Sequence, residues 1–332
     1  MNTAIPRANE VPPSIPTFAD VVAAADRIAP RIVHTPVMQS DAFDARANRR
    51  VFFKCENLQR GGAFKYRGAL NAILPLAEGG KATAVATHSS GNHGTAVALA
   101  AKVCGLSAYI VVPRGASRPK VAAIERAGGV VTLCEPTLSA REAALAELLE
   151  RVSADLVHPF DDSRVIAGQG TAALEFLCDE PELDVVSTPV GGGGLIGGTA
   201  LAVKAVAKQC LVIGAEPAGA DDAFRSFHSG TRQGVTGPQT IADGLRASIG
   251  VRNFDLMRRY VDDIVTVSER EIIDAMRIVL QDFKLLIEPS SAVPVAAALA
   301  GKLGRTGQRV GIVISGGNVD LEQCPFLRGE RV

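Results

Sequence analysis

The 332-residue chain contains no tryptophan, 5% aromatic residues and no excess of either charge, with 35 Lys+Arg against 35 Asp+Glu. Zero net charge without a basic stripe argues against nucleic acid as a partner. No apolar run approaches the ~18 residues that a membrane-spanning helix needs. Residues 1–16 carry four prolines and no apolar core of a signal peptide, so they read as an extended tail. The six cysteines (Cys55, Cys104, Cys134, Cys178, Cys210 and Cys324) form no Cys-x-x-Cys pair. That scatter suggests reduced thiols in a cytoplasmic protein. His88 and His93 lie near each other, but no neighbouring cysteine or carboxylate completes a zinc ligand set. No internal repeat is visible.

What is present is a globular composition, 47% apolar and 21% charged. At about 150 residues per domain the length suggests two lobes. Residues 18–29 space Val21, Val22, Ala25 and Ile28 as a helix does, and Pro30 ends it. A strand at 51–55 leads into a glycine-rich bend and a helix at 64–76. Strands and helices then alternate: strands at 83–87, 108–112, 130–133, 185–190, 211–215 and 309–314, helices at 92–103, 120–126, 140–152, 165–177 and 195–207. Ser268-x-x-Glu271 forms a capping box for a helix reaching about Phe283. Residues 229–237 read as a surface loop. The pattern predicts an α/β fold with parallel-rich sheets flanked by helices. Residues 84–161 hold their own alternating set. They are expected to form a small domain inserted into a large one made of 17–83 and 162–332. The unusual loops all follow strands, and in open parallel sheets such loops converge on a ligand cleft.

Five segments could carry chemistry. In Gly61-Gly62-Ala63-Phe64-Lys65-Tyr66-Arg67-Gly68, a lysine sits between two aromatics at a helix start; it either snorkels to water or is an enclosed reactive amine. His88-Ser89-Ser90-Gly91-Asn92-His93-Gly94 links a strand to a helix, either as an ordinary cap or as an anion pocket of backbone N–H groups. Gly191-Gly192-Gly193-Gly194 precedes another helix, which favours a phosphate cradle over a flexible turn. It is no P-loop, since no Gly-Lys-Ser/Thr follows. Ser315-Gly316-Gly317-Asn318 ends the last strand with a hydroxyl that could cap a turn or meet a ligand ring. Glu216, Ala220, Asp221 and Asp222 concentrate oxygen donors that suit a hard cation or simply a helix N-terminus.

In combination and order, Phe-Lys-x-Arg-Gly-Ala, Ser-Ser-Gly-Asn-His-Gly, the tetraglycine and Ser-Gly-Gly-Asn resemble the fold-type II pyridoxal-phosphate enzymes. The resembling branch is that of serine/threonine dehydratases and serine racemases, and it covers residues 18–320. The cysteine- and tryptophan-forming members share the fold but usually lack the histidine of the second motif and the Ser-Gly-Gly-Asn ending. The resemblance implies that Lys65 carries pyridoxal 5'-phosphate on its amine, with Phe64 beside the ring. Asn92 would bond the ring hydroxyl, Gly191, Gly192, Gly193 and Gly194 the phosphate, and Ser315 the ring nitrogen. Ser89, Ser90, Asn92 and His93 would bind the substrate carboxylate, and Ser90 matches the proton-exchanging serine of racemases. Glu216, the Ala220 carbonyl and Asp222 match a divalent-cation site for Mg2+ or Ca2+.

The implied activity is dehydration of a β-hydroxy amino acid such as L-threonine or L-serine to a 2-oxo acid and ammonia. A hydroxyl opposite the ring nitrogen makes the cofactor a weaker electron sink than a carboxylate would, which suits prompt loss of the β-hydroxyl. The expected role is catabolic and the expected assembly a homodimer. Only 14 residues follow Asn318, so no regulatory domain is expected. Gly61 and Ala63 replace hydroxyl residues usual in the opening motif. Ala247 stands where some serine-handling relatives have a serine, and Phe160 where some have a polar residue. Fewer hydroxyls suggest a larger or less polar β-substituent, as in phenylserine. Arg141 points instead to a second carboxylate, as in 3-hydroxyaspartate, or is a solvated helix charge. Racemisation and a non-catalytic cofactor carrier are further alternatives.

Overall fold

The computed structural model describes residues 14–80, 82–89, 91–305, 308–324 and 326. Ser90 and residues 1–13 of the expected tail therefore lie outside the described residues. Among the described residues, ten strands run in chain order as β1 (Val37–Met38), β2 (Arg50–Cys55), β3 (Ala84–His88), β4 (Ser107–Pro113), β5 (Gly129–Cys134), β6 (Asp155–Leu156), β7 (Val185–Pro189), β8 (Leu211–Pro217), β9 (Asp263–Val267) and β10 (Arg309–Ile314). They form a six-stranded sheet, β1-β2-β10-β7-β8-β9, and a four-stranded sheet, β5-β4-β3-β6. Every pairing is parallel except the short β1–β2 edge. Helices cover the sheets, which is why β7 is buried at all five positions and β10 at five of six.

Most expected elements fall within one to three residues of their observed ends. The capping box forms: the Ser268 side chain accepts from Glu271 N–H, and Glu271 accepts from Ser268 N–H. Four elements have weaker sequence signals. Asp41–Ala47 and Val251–Tyr260 are short helices with mixed surface faces. β9 follows so closely on the latter helix that no turn cluster marks it. Pro289–Leu299 carries Pro294 inside, yet Pro289 at its first turn is a regular helix opening.

The helix that positions Lys65 (Lys65–Glu78) is locked from behind. Gly68 and Gly168 let it approach the Ser163–Asp179 helix so closely that a Cβ on Gly168 would lie 2.6 Å from Gly68 Cα. Arg67, fully buried, donates to both oxygens of Glu56 at 2.8 Å and to both oxygens of Glu175 at 2.9 and 3.0 Å. Buried Lys54 joins this network through Glu175 and Asp179, each at 2.8 Å. Burial alone would raise the Glu175 carboxyl, but the hydrogen bonds from Arg67 and Lys54 hold it below its usual range. Tyr66 packs in the core with Leu70 and Ile73, away from the amine of Lys65. Of the two flanking aromatics, Phe64 is the one Lys65 meets, with Nζ 5.2 Å from the ring centroid.

Candidate active site

One cavity gathers most of the expected site. Its walls include Phe64, Lys65, Ser89, Asn92, His93, Arg141, the four glycines 191–194 and Ser315. Each reaches it from the carboxyl end of a strand or the first turn of a helix. Glu216, Ala220 and Asp222 do not line this cavity; they are buried elsewhere in the fold.

Lys65 opens its helix and donates from Nζ to the Pro159 carbonyl at 2.8 Å. Burial lowers its pKa to about 8, with the nearby Glu288 charge acting in the opposite direction. A lysine so placed has its free base within reach at neutral pH. The two positive-φ glycines Gly61 and Gly62 (72° and 71°) bend the chain into it. Ala63 pairs with Gly316 as an isolated bridge, and Phe64 N–H donates to the Ser315 carbonyl at 3.0 Å. Gly61 and Ala63 are thus backbone features and do not line the cavity; of the three positions read as missing hydroxyls, only Ala247 does, together with Phe160.

The tetraglycine sits at the N-terminus of the helix Gly194–Val206, with Gly193 at φ 88°. The Gly192 carbonyl accepts from Gly250 N–H at 3.1 Å and Asn253 Nδ2 at 2.7 Å. By contrast, the N–H groups of Gly191 to Gly194 have no acceptor among the described residues. Unsatisfied amides at the positive end of a helix dipole are what a phosphate requires. A Cβ on Gly192 would lie 2.2 Å from the Phe160 ring, so glycine is needed here for packing as well. Ser315, 2% exposed, holds its hydroxyl 2.9 Å from Ser291 Oγ.

Around the remaining wall the histidines are neutral. Burial, then His158 and Arg141, push His88 down to about 4. His93 Nε2 lies 3.1 Å from the Val157 carbonyl, which can only accept, so the ring proton is on Nε2. Burial holds that imidazole well below its ordinary value. His93 therefore cannot offer its ring as a charged donor to a carboxylate. Lys120 ion-pairs with Asp243 across the cavity. Arg141 makes one long bond, Nε to the Thr137 carbonyl at 3.4 Å, and has no carboxylate partner among the described residues. It is a guanidinium on the cavity wall without a counter-charge among the described residues.

Three wall residues had no motif to mark them. Pro159 and Asp243 act through a carbonyl and a loop carboxylate that only the fold brings near. Glu288, 4% exposed, accepts from Asn92 Nδ2 at 2.8 and 3.0 Å. Its one sequence signal is its place just before the helix-opening Pro289.

Away from the cavity, Glu216 accepts from the Ala223 and Phe224 N–H groups at 3.2 and 2.7 Å. Asp222 Oδ2 accepts from Ile249 N–H at 2.8 Å, while its buried Oδ1 has no partner. Burial raises both carboxyls.

A family model described as pyridoxal-phosphate dependent enzyme matches residues 28–316. The chain is 44% identical over 312 residues to a β-hydroxyaspartate dehydratase of Paracoccus denitrificans, covering 94% of this chain and 99% of that protein. It is 48% identical over 303 residues to a serine racemase of Arabidopsis thaliana, covering 90% and 92%. Among solved structures, maize serine racemase superposes with a TM-score of 0.90 at 41% identity, over 93% of this chain and 95% of that one. With a buried amine, unpartnered amides at a helix N-terminus and a buried hydroxyl, the residues present fit the cofactor, and the chain belongs to the family of pyridoxal-phosphate dependent enzymes.

Proposed function

We propose that this protein is a dehydratase (ammonia-lyase) of β-hydroxy amino acids, and that its preferred substrate carries a second carboxylate, as 3-hydroxyaspartate does. The observation that carries the second half is Arg141, an unpaired guanidinium in a cavity whose histidines are neutral. A buried or half-buried Arg without a partner favours an arriving carboxylate, which it binds bidentately. The 44% identity to a protein named β-hydroxyaspartate dehydratase supports the same choice.

In this reading Lys65 holds the cofactor, the amides of 191–194 hold its phosphate, Asn92 its ring hydroxyl and Ser315 its ring nitrogen. Pyridoxal phosphate, when bound, supplies the electron sink that makes an α-carbon acidic. The N-terminus of the helix Asn92–Val103, with Ser89, Ser90 and the His93 backbone, binds the α-carboxylate. Phe64 and Phe160 exclude water from the cavity. Once the amine of the substrate has taken its place, Lys65 Nζ, whose ammonium burial weakens, would take the α-proton, and the β-hydroxyl would depart as water. The enamine that is released hydrolyses to 2-oxo acid and ammonia.

Glu216, the Ala220 carbonyl and Asp222 form a divalent-cation site, supported by two buried carboxylates and the orphaned Asp222 Oδ1. Residues 17–83 with 162–332 make the cofactor-holding lobe and 84–161 the smaller one, supported by the division of the strands into two sheets. A cytoplasmic homodimer belongs to the same reading, and light scattering tests the dimer.

Serine racemisation is the second reading, supported by the 48% identity to a protein of that name. One assay separates them. Oxo-acid release is measured from 3-hydroxyaspartate, serine, threonine and phenylserine stereoisomers, with chiral detection of D-serine. Highest kcat/KM on a 3-hydroxyaspartate isomer supports the proposal. Higher kcat/KM on serine, threonine or phenylserine, or D-serine as the main product, overturns it.

A further inference from the structure

The helix Pro289–Leu299 begins at Glu288, yet the Glu288 side chain makes no capping bond to it. The carboxyl turns instead into the cavity. There both its oxygens accept from Asn92 Nδ2, at 2.8 and 3.0 Å. Asn92 Oδ1 in turn accepts from Asn318 Nδ2 at 2.9 Å, and Asn318 Nδ2 also donates to the Gly61 carbonyl at 2.7 Å. The backbone completes the tie: Glu288 N–H donates to the Gly316 carbonyl at 3.1 Å. An asparagine amide has two faces of similar shape, and only its partners decide which end points where. Here a carboxyl whose two oxygens both accept lies at one end and a donor at the other.

We infer that Glu288 is a positioning residue: with Asn318 it fixes the orientation of the Asn92 amide, so that the N–H end of Asn92 faces the ring of the bound cofactor. This rests on the proposed role of Asn92. It extends that role to a residue no sequence motif marks. Because Glu288 and Asn92 lie 196 positions apart, the tie also joins the helix after β3 to the helix before β10. Burial pushes the Glu288 carboxyl up to about 7, against the opposing influence of Lys120, the Asn92 hydrogen bond and Lys65, and with Asp243 adding to the rise. A group so close to neutrality can hold Asn92 without fixing a full negative charge beside the cofactor.

The test titrates cofactor-free protein with pyridoxal phosphate and follows the absorbance of the bound cofactor. It compares the unaltered chain with Glu288→Ala, Glu288→Gln and Asn318→Ala. Glu288→Ala is expected to weaken cofactor affinity by about tenfold or more, the loss of one well-placed acceptor, and to shift the absorbance band. Glu288→Gln keeps one oxygen toward Asn92 and is expected within about threefold of the unaltered chain. Asn318→Ala, acting from the opposite end, is expected to shift the band in the same direction as Glu288→Ala. A merely structural role would lower the melting temperature and leave the band in place. Unchanged affinity and band in Glu288→Ala overturn the inference, as does an unchanged band in Asn318→Ala. So does a Glu288→Gln as weak as Glu288→Ala, since charge and not orientation would then be what matters. Failure of the unaltered chain to take up the cofactor would overturn the site assignment itself, and the inference with it.

Discussion

Lys65 Nζ donates to the carbonyl of Pro159 at 2.8 Å, a neutral acceptor that holds the amine without supplying a counter-charge. With burial the dominant influence, its pKa falls to about 8. Labelling of the cofactor-free protein by an amine-reactive reagent, read by mass spectrometry, should therefore modify Lys65 with a pH midpoint near 8. Ordinary lysines should respond only above about pH 10. A Lys65 midpoint among those of surface lysines would contradict the burial argument.

The tetraglycine and Phe160 are packed as one unit. A methyl on Gly192 would meet the Phe160 ring at 2.2 Å, so Gly192→Ala should destabilise the fold by about 1–3 kcal/mol. Phe160→Ala in the same chain should recover part of that loss, because the two changes share one contact. Thermal melts of the single and double variants measure this. Strictly additive losses would show that Phe160 is not the clash.

Asp222 Oδ1 is buried and unpartnered, and burial raises the carboxyls of both Asp222 and Glu216. Adding Mg2+ or Ca2+ should raise the melting temperature, and chelator should reverse the rise. Asp222→Asn should abolish the response by removing a charged ligand. An equal response in Asp222→Asn would place the ion elsewhere.

Arg67 is a fully buried guanidinium with two carboxylate partners. Arg67→Ala should cost about 3–5 kcal/mol, since it leaves Glu56 buried and uncompensated. Arg67→Ala with Glu56→Gln should lose less than the single change. Denaturant unfolding of the three proteins tests this, and a double variant no better than Arg67→Ala would show that the uncompensated charge is not the cost.

Much of this was legible in the sequence because local rules applied. The Ser268–Glu271 capping box, the buried β7 and β10 and the glycines 191–194 each follow from residues within a few positions of one another. The family resemblance then linked distant motifs into one site. What stayed hidden depends on contacts across the fold. Glu288 reaches Asn92, and Lys65 reaches Pro159 over 94 positions, through packing that no periodicity encodes. The substitutions at Gly61 and Ala63 looked like substrate clues, but the structure assigns them to a positive-φ bend and a backbone bridge. Arg141, Ala247 and Phe160, by contrast, do line the cavity.

The proposed function has Lys65 carry out elimination on a β-hydroxy amino acid with two carboxylates. Its most direct test is 2-oxo acid and ammonia release from 3-hydroxyaspartate by cofactor-loaded protein, set beside Lys65→Ala and Arg141→Gln. Equimolar products are expected from the unaltered protein, with a loss of at least about 1,000-fold in Lys65→Ala. In Arg141→Gln the KM for 3-hydroxyaspartate should rise about tenfold or more, with the KM for serine nearly unchanged. Retained elimination in Lys65→Ala, or an equal KM change for both substrates in Arg141→Gln, would contradict the proposed function.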